Sequence, residues 1–239
     1  MQVNLSYNFN SNKFLKWVLL STAFVPFVIS TSTLFPYVYG KTTLIRLVVV
    51  LFFSALTLAL FSKGVSHLNL EKRFLKNRIF LLIASFVALA FVSSLLAPVK
   101  LKAFLGTIER GEGFIHYLFM LLFLMGILFV FKEKEWTNFF KLSLITGNII
   151  AIDALIVFIR DKVTRSGGSF IDNPIFVGAY LLFVLFCAVI LLSKSNSKIW
   201  RRIAYATIPI ALLGIGVSNT RGVFVGLFAG IIAASIYLL

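Results

Sequence analysis

The chain has 239 residues, of which 60% are hydrophobic and 13% are charged. This charged fraction is well below the roughly 25% of soluble domains and, with a mean hydropathy of +1.00, excludes a water-soluble fold. The net charge of +15 does not indicate a nucleic-acid partner, because the basic residues stand in short clusters between apolar runs. That pattern is typical of membrane topology, so we expect membrane lipids and no nucleic acid as partners.

Apolar runs long enough to span a bilayer follow one another along the chain. They predict an all-α fold: a polytopic transmembrane helical bundle of about eight spans, forming a single transmembrane domain over 1–239. The first run follows a polar N-terminus, and we interpret it as a retained helix rather than a cleaved signal peptide. The predicted spans are 14–35, 44–61, 79–97, 114–131, 139–159, 175–192, 203–218 and 222–239.

The loops that alternate with these spans differ in basic charge. If the N-terminus is cytoplasmic, most of the 23 Lys and Arg residues lie in cytoplasmic loops, which favours that orientation. Three arginines would instead stand at outer helix ends beside glycines: Arg110, Arg165 and Arg221. Their placement predicts a functional outer face.

The first of the outer segments is Glu109-Arg110-Gly111-Glu112-Gly113, just before the fourth predicted span. Glycines allow the backbone to approach a ligand, and an arginine can donate two hydrogen bonds to one phosphate or carboxylate. The simpler interpretation is an Arg–Glu surface pair in a loop.

The second outer segment, 165–174, reads Arg-Ser-Gly-Gly-Ser-Phe-Ile-Asp-Asn-Pro and leads into the sixth span. Pro174 suits the first turn of a helix and Asn173 suits its N-cap. A helix N-terminus with free N–H groups beside Arg165 would be an anion site. An ordinary capped loop is the alternative.

The third outer segment, Asn219-Thr220-Arg221-Gly222, lies between two apolar runs with almost no loop. Arg221 would either face a cavity or a partner, or extend to the headgroups. Asp153, inside the fifth span, could neutralise an arginine, pair with Asn148 or stay protonated. His116, near the outer end of the fourth span, could act as a base, although a hydrogen-bonded helix-end histidine is the simpler interpretation.

Familiar catalytic motifs are missing from the sequence, which contains no HExxH, CxxC, GxSxG or P-loop. Metallopeptidase, thiol-redox, serine hydrolase and ATPase functions therefore lack their parts. We expect no metal and no cofactor.

Taken in order, the segments resemble the O-antigen ligase and polymerase family, a group of bacterial multi-span glycan-transfer proteins. The residues that carry the resemblance are Pro26-Phe27, Pro36-Tyr37, Gly40-Lys41, Glu109 to Gly113, Arg165 to Pro174 and Thr220 to Gly222. Many relatives have Gly-Asn-Pro-Asn where this chain has Asp172-Asn173-Pro174-Ile175. The family also has a large outer loop with an important histidine after the helix that follows Thr-Arg-Gly, where this chain ends. We therefore expect the chain to be the N-terminal part of such a membrane domain.

The resemblance implies transfer of a glycan from an undecaprenyl-pyrophosphate carrier to an acceptor on the outer face of the cytoplasmic (inner) membrane. The acceptor could be lipid A core, a polysaccharide or a protein. Arg165 and Arg221 would contact the pyrophosphate, Arg110 the glycan or its supporting residues, and Asn173 would be a further substrate-binding residue. The catalytic residue is not identified. The alternatives are a transporter or flippase, which the apolar span centres disfavour, and a non-catalytic fragment.

Overall fold

A computed structural model describes residues 11–63, 73–107 and 111–238, and every regular element in these ranges is helical. Two short 3-10 segments occur at Ser21–Phe27 and Arg73–Lys76. The α-helices are α1 (Ser11–Leu20), α2 (Tyr39–Lys63), α3 (Arg78–Leu96), α4 (Lys100–Leu105), α5 (Phe114–Val130), α6 (Glu133–Asp161), α7 (Gly168–Ile171), α8 (Pro174–Lys194), α9 (Lys198–Ser218) and α10 (Arg221–Leu238).

The all-α prediction is confirmed for the described residues. Among the described residues, four helices are long and apolar enough to cross a membrane: α2 over Tyr39–Phe61, α3, α6 and α8. Two shorter apolar helices occur at Phe114–Val130 and Arg221–Ala233. These helices indicate a membrane protein, while the total of about eight spans stays a prediction.

The predicted first span, 14–35, is not one continuous helix, and this prediction is wrong. The α-helix ends at Leu20 and a 3-10 segment carries the chain to Phe27. The Ser21 and Thr22 hydroxyls donate to backbone carbonyls three residues earlier, at 2.7 and 2.6 Å, and such side-chain bonds compete with helix propagation. Pro26 then supplies no N–H for an α-helix to continue.

The other seven predicted spans coincide with α2, α3, α5, α6, α8, α9 and α10, with ends that differ by up to six residues. The largest difference is at α6, which begins at Glu133 instead of 139. Glu133 and Glu135 lie in its first turn, where acidic side chains interact favourably with the helix dipole. A span predicted from hydropathy leaves out such a charged turn, although the turn is part of the helix.

The described residues fall into two compact units, one containing 11–22 and 30–132 and the other 23–29 and 133–238. In the second unit α6, α8 and α9 approach closely because glycines face larger side chains: Gly147 lies against Val184, and Gly214 against Leu181. Small residues at helix crossings are typical of membrane bundles. One buried cluster joins these helices: Ile150, Ala151, Ala154, Ile171, Val177, Leu181, Ile215 and Val223.

In the first unit α1, α2 and α5 form the packed part. Phe52 of α2 is almost fully buried, and its ring fills the space beside Gly126 of α5. Phe80 of α3 contacts Phe74 of the second 3-10 segment edge to face, and Phe74 in turn contacts Phe129 of α5. Much of the apolar surface of α3 remains exposed.

Candidate functional site

The segment 165–172 folds back onto the ends of two helices. The Ser166 N–H donates to the carbonyl of Val217 at the end of α9, at 2.9 Å. Three residues later the Ser169 N–H donates to Oδ2 of Asp153 on α6, at 2.5 Å. Gly168 between them has φ +65° and packs against the Asp153 carboxylate, a conformation that disfavours other residues. These two anchors fix the backbone next to Arg165.

The start of α8 confirms the predicted cap but not the predicted anion site. Asn173 is the N-cap: its Oδ1 accepts the Ile175 N–H at 2.9 Å, and Pro174 occupies the first turn. The N–H groups of Phe176 and Val177 both donate to the carbonyl of Asn173 at 3.1 Å. Because proline has no N–H, the first turn has no free donor, and the hypothesis of free N–H groups at this helix end is wrong.

Arg165 instead joins the second and third outer segments. Its Nε donates to the carbonyl of Ser218 at 3.2 Å and its Nη2 to Oγ1 of Thr220 at 3.2 Å. The Thr220 hydroxyl also lies within hydrogen-bond distance of the Pro174 carbonyl, at 3.4 Å. The structure therefore brings together Arg165, the start of α8 and the start of α10.

Arg221 follows Thr220 directly and begins α10. The chain turns sharply here because Asn219 adopts a left-handed conformation, with φ 45° and ψ 47°, which asparagine tolerates better than most residues. Arg221 is exposed, and within the described ranges its guanidinium has neither a hydrogen bond nor an ion pair. In the part of the chain that the structure describes, its N–H donors are therefore unused.

Arg165 is also exposed, and part of its hydrogen-bonding capacity is unused within the described residues. It uses two of the five guanidinium N–H groups for the bonds to Ser218 and Thr220. Among the described residues no carboxylate pairs with it. Arg165 thus contacts Thr220, the residue before Arg221, and within the described ranges neither arginine has a carboxylate partner. Guanidinium groups of this kind can bind the oxygens of an anion.

Asp153 has a role that the sequence did not reveal. Of the alternatives, pairing with Asn148 does not occur, since Asn148 Nδ2 donates to Thr207 Oγ1 at 2.9 Å. The carboxylate holds the backbone of Ser169 instead. The sequence did contain a signal, because Asp153 precedes the pair Gly167-Gly168 by about fifteen residues. Spacing alone could not show that the carboxylate contacts this loop.

In the first unit, Gly111, Glu112 and His116 belong to a polar cluster whose further member, Arg46, sequence reasoning missed. Arg46 of α2 donates from Nη2 to the Gly111 carbonyl at 2.8 Å and lies 5.9 Å from the centre of the Phe119 ring on α5. The prediction for Arg110 falls outside the described residues. An arginine inside an apolar run was the signal for this cluster.

Comparison of the chain with protein-family models, with curated proteins and with solved structures finds no match.

Proposed function

We propose that the chain acts in lipid-linked glycan transfer of the O-antigen ligase and polymerase type. The donor is a glycan on undecaprenyl pyrophosphate, and the acceptor is a lipid A core, a polysaccharide or a protein. Arg165 and Arg221 bind the pyrophosphate, and Arg110 and Asn173 contribute to glycan binding.

One observation carries the proposal: the contact of Arg165 with Thr220, the residue before Arg221. A pyrophosphate group presents several charged oxygens, and guanidinium groups bind such oxygens through paired, charge-assisted hydrogen bonds. The absence of a paired carboxylate on either arginine, within the described ranges, leaves this charge for a ligand. The resemblance of the ordered outer segments supplies the identity of that ligand.

Glycan transfer requires stabilisation of the negative charge that develops on the leaving pyrophosphate. An acceptor hydroxyl attacks the anomeric carbon, a new glycosidic C–O bond forms, and the C–O bond to the pyrophosphate breaks. The electron pair of the broken bond remains on the pyrophosphate, where donors fixed in advance lower the barrier. Arg165 is fixed in advance by its bonds to Ser218 and Thr220.

The proposal also includes a topology: about eight spans in the cytoplasmic membrane, with the N-terminus in the cytoplasm and the arginine pair at the outer face. The α9 helix supports this placement. Arg201 and Arg202 lie near its beginning and Ser218 at its end. The 16 residues from Ile203 to Ser218 correspond to about 24 Å at 1.5 Å per residue, which crosses most of a hydrocarbon core of about 30 Å.

Binding of the carrier tests the proposal. The full chain is reconstituted in nanodiscs and titrated with undecaprenyl-pyrophosphate-linked oligosaccharide, as wild type, Arg165→Ala and Arg221→Ala. We expect each substitution to weaken binding by about 1.5–3 kcal/mol, as for hydrogen bonds to charged groups. Arg202→Ala, which removes the same charge at the other end of α9, should bind as wild type does.

Two further measurements distinguish a wrong binding site from a different function, the flippase alternative. Arg165→Lys keeps the charge but cannot reproduce the paired donors of a guanidinium, so it should bind more weakly than wild type while remaining folded. Equal binding of all variants, or no binding by wild type, would refute the pyrophosphate site. Movement of the carrier across a vesicle membrane with unchanged binding in both alanine variants would instead support the flippase alternative.

A further inference from the structure

The polar cluster of the first unit, here called the Arg46 cluster, consists of Arg46, Gly111, Glu112 and His116. Arg46 is half-buried on α2. Its guanidinium donates one hydrogen bond to Gly111 and lies 5.9 Å from the centre of the Phe119 ring. A guanidinium has five donors, so these contacts leave most of its hydrogen-bonding capacity unused within the described residues.

Two nitrogen atoms of this cluster are enclosed and lack partners in the part of the chain that the structure describes. They are Nε of Arg46 and Nδ1 of His116. Leaving a buried polar group unsatisfied costs about 1–3 kcal/mol, and more for a charged group. Native proteins have few such groups, and each one indicates strain, catalysis or a bound water or ion. Arg46 contacts Gly111 just before α5 and the ring of Phe119, three residues after His116. Because residues three apart share a helix face, Arg46 lies along the face of α5 that carries His116, and the two nitrogens belong to the same cluster.

The two backbone segments beside the cluster, around Gly106 and around Gly113, pack very closely against each other. Gly106, with φ +85°, crosses Glu112 so tightly that a Cβ on Gly106 would lie 2.5 Å from the Glu112 nitrogen. A Cβ on Gly113 would overlap the carbonyl of Phe104. Only glycines permit this crossing, which holds the Gly111 carbonyl against Arg46. The cluster is therefore a fixed arrangement.

The Arg46 guanidinium and the start of α5 both contribute positive charge to the cluster. Glu112 is exposed and forms no ion pair with Arg46. The first turn of α5, which contains His116 and has no side-chain cap at Gly113, adds the partial positive charge of a helix N-terminus. Two enclosed nitrogens in a positive environment call for an acceptor with negative charge.

We propose that the Arg46 cluster is an oxyanion site, which binds a phosphate or carboxylate group through the Nε–H of Arg46 and the Nδ1–H of His116. The His116 side chain as a whole is half-buried. This proposal does not rest on the proposed glycan transfer. It would hold equally for a free anion or for a lipid headgroup.

Nitrogen NMR of His116 tests the proposal directly. The sequence has only two histidines, His67 and His116, so the full chain with His67→Gln and ¹⁵N-labelled histidine gives the signals of His116 alone. One arm titrates inorganic phosphate into nanodiscs of phosphatidylcholine, and the other compares nanodiscs with and without phosphatidic acid. We expect a saturable shift of the Nδ1 signal, with phosphate for a soluble anion and only with phosphatidic acid for a headgroup.

Variants make the test decisive. Arg46→Gln should abolish the shift, and a shift that persists in this variant would overturn the proposal, as would no shift in either arm. By phosphorus NMR, His116→Phe should weaken anion binding at least about tenfold, whereas His116→Asn, whose amide can place an N–H near the Nδ1 position, should retain most of it.

Glu112 provides the remaining control. If the site takes an external anion, Glu112→Gln should tighten anion binding by removing repulsion. If Glu112 is itself the partner of His116 in solution, its substitution will move the Nδ1 signal without any added anion. That result would overturn the proposal.

Discussion

Two apolar helices of similar length, α3 in the first unit and α8 in the second, are packed very differently. They have 19 and 21 residues, yet 17% of the most apolar stretch of α3 is buried against 44% for α8. On α3, Leu82 and Leu96 are 70% and 80% exposed, whereas Leu181 of α8 is fully buried. Apolarity predicts that both are helices, but the small residues facing α8 determine which one is enclosed by protein.

The loops differ in a parallel way. In the second unit, segment 165–172 is anchored through hydrogen bonds from Ser166 and Ser169 to neighbouring helices. In the first unit, Gly106 and Gly113 meet through close backbone packing, and the Arg46 side chain adds a hydrogen bond to Gly111 beside them. Removing single hydrogen bonds would weaken the first arrangement, whereas a Cβ added at Gly106 or Gly113 would disturb the second.

The largest expected effect compares the two helices directly. Leu181→Ala should lower the free energy of unfolding by about 2–5 kcal/mol, because it leaves a cavity between α8 and α9. Leu82→Ala on α3 removes the same atoms from an exposed position and should change stability by less than about 0.5 kcal/mol. Unfolding in mixed micelles with increasing SDS measures both variants.

A large loss for Leu82→Ala would break the comparison. It would mean that α3 is covered by another protein surface, such as a second copy of the chain, instead of by lipid. Equal small losses for both variants would show that the α8 interface relaxes around the cavity.

The next effect concerns the anchor of segment 165–172. Asp153→Ala removes the acceptor of the Ser169 N–H and should cost about 1 kcal/mol, as the loss of a helix cap does. Asp153→Asn keeps an acceptor oxygen and should behave nearly as wild type does. Hydrogen exchange of the Ser169 amide is the measurement, and a change of this size corresponds to about fivefold faster exchange.

If both Asp153 variants exchange equally fast, the negative charge matters more than the hydrogen bond. If neither differs from wild type, Ser169 is held by other contacts, and Asp153 does not position the backbone near Arg165.

The sequence predicted seven helices well because their apolar runs are continuous, and it failed where polar residues decide the structure. The break after Leu20 depends on the Ser21 and Thr22 hydroxyls, which a hydropathy pattern averages out. Two compact units were not predicted either, since hydropathy carries no information about which helices contact each other. The single-domain interpretation of 1–239 stays a prediction.

For the site, local rules worked and long-range contacts did not follow. Asn173 and Pro174 occupy the cap positions that their chemistry favours. The contact of Arg165 with Thr220, the Asp153 anchor and the contact of Arg46 with Gly111 were not predicted. Each of those contacts joins residues 16 to 65 positions apart, and nothing in a single sequence fixes such a pairing.

The smallest expected effect tests whether polar contacts add to the packing of α8. The Thr146 hydroxyl of α6 and the Tyr180 hydroxyl of α8 lie 2.7 Å apart, and Thr146 is fully buried. A double-mutant cycle with Thr146→Val and Tyr180→Phe should give a coupling energy of about 0.6 kcal/mol, the average for interhelical hydrogen bonds in a membrane protein. This value is small because the Thr146 hydroxyl can also donate to the carbonyl of Leu142 at 3.1 Å, so losing Tyr180 does not leave it unpaired. A coupling energy near zero would show that shape alone joins α6 to α8, whereas one well above 1.7 kcal/mol, the largest such value, would make the hydroxyl pair a principal link between these helices.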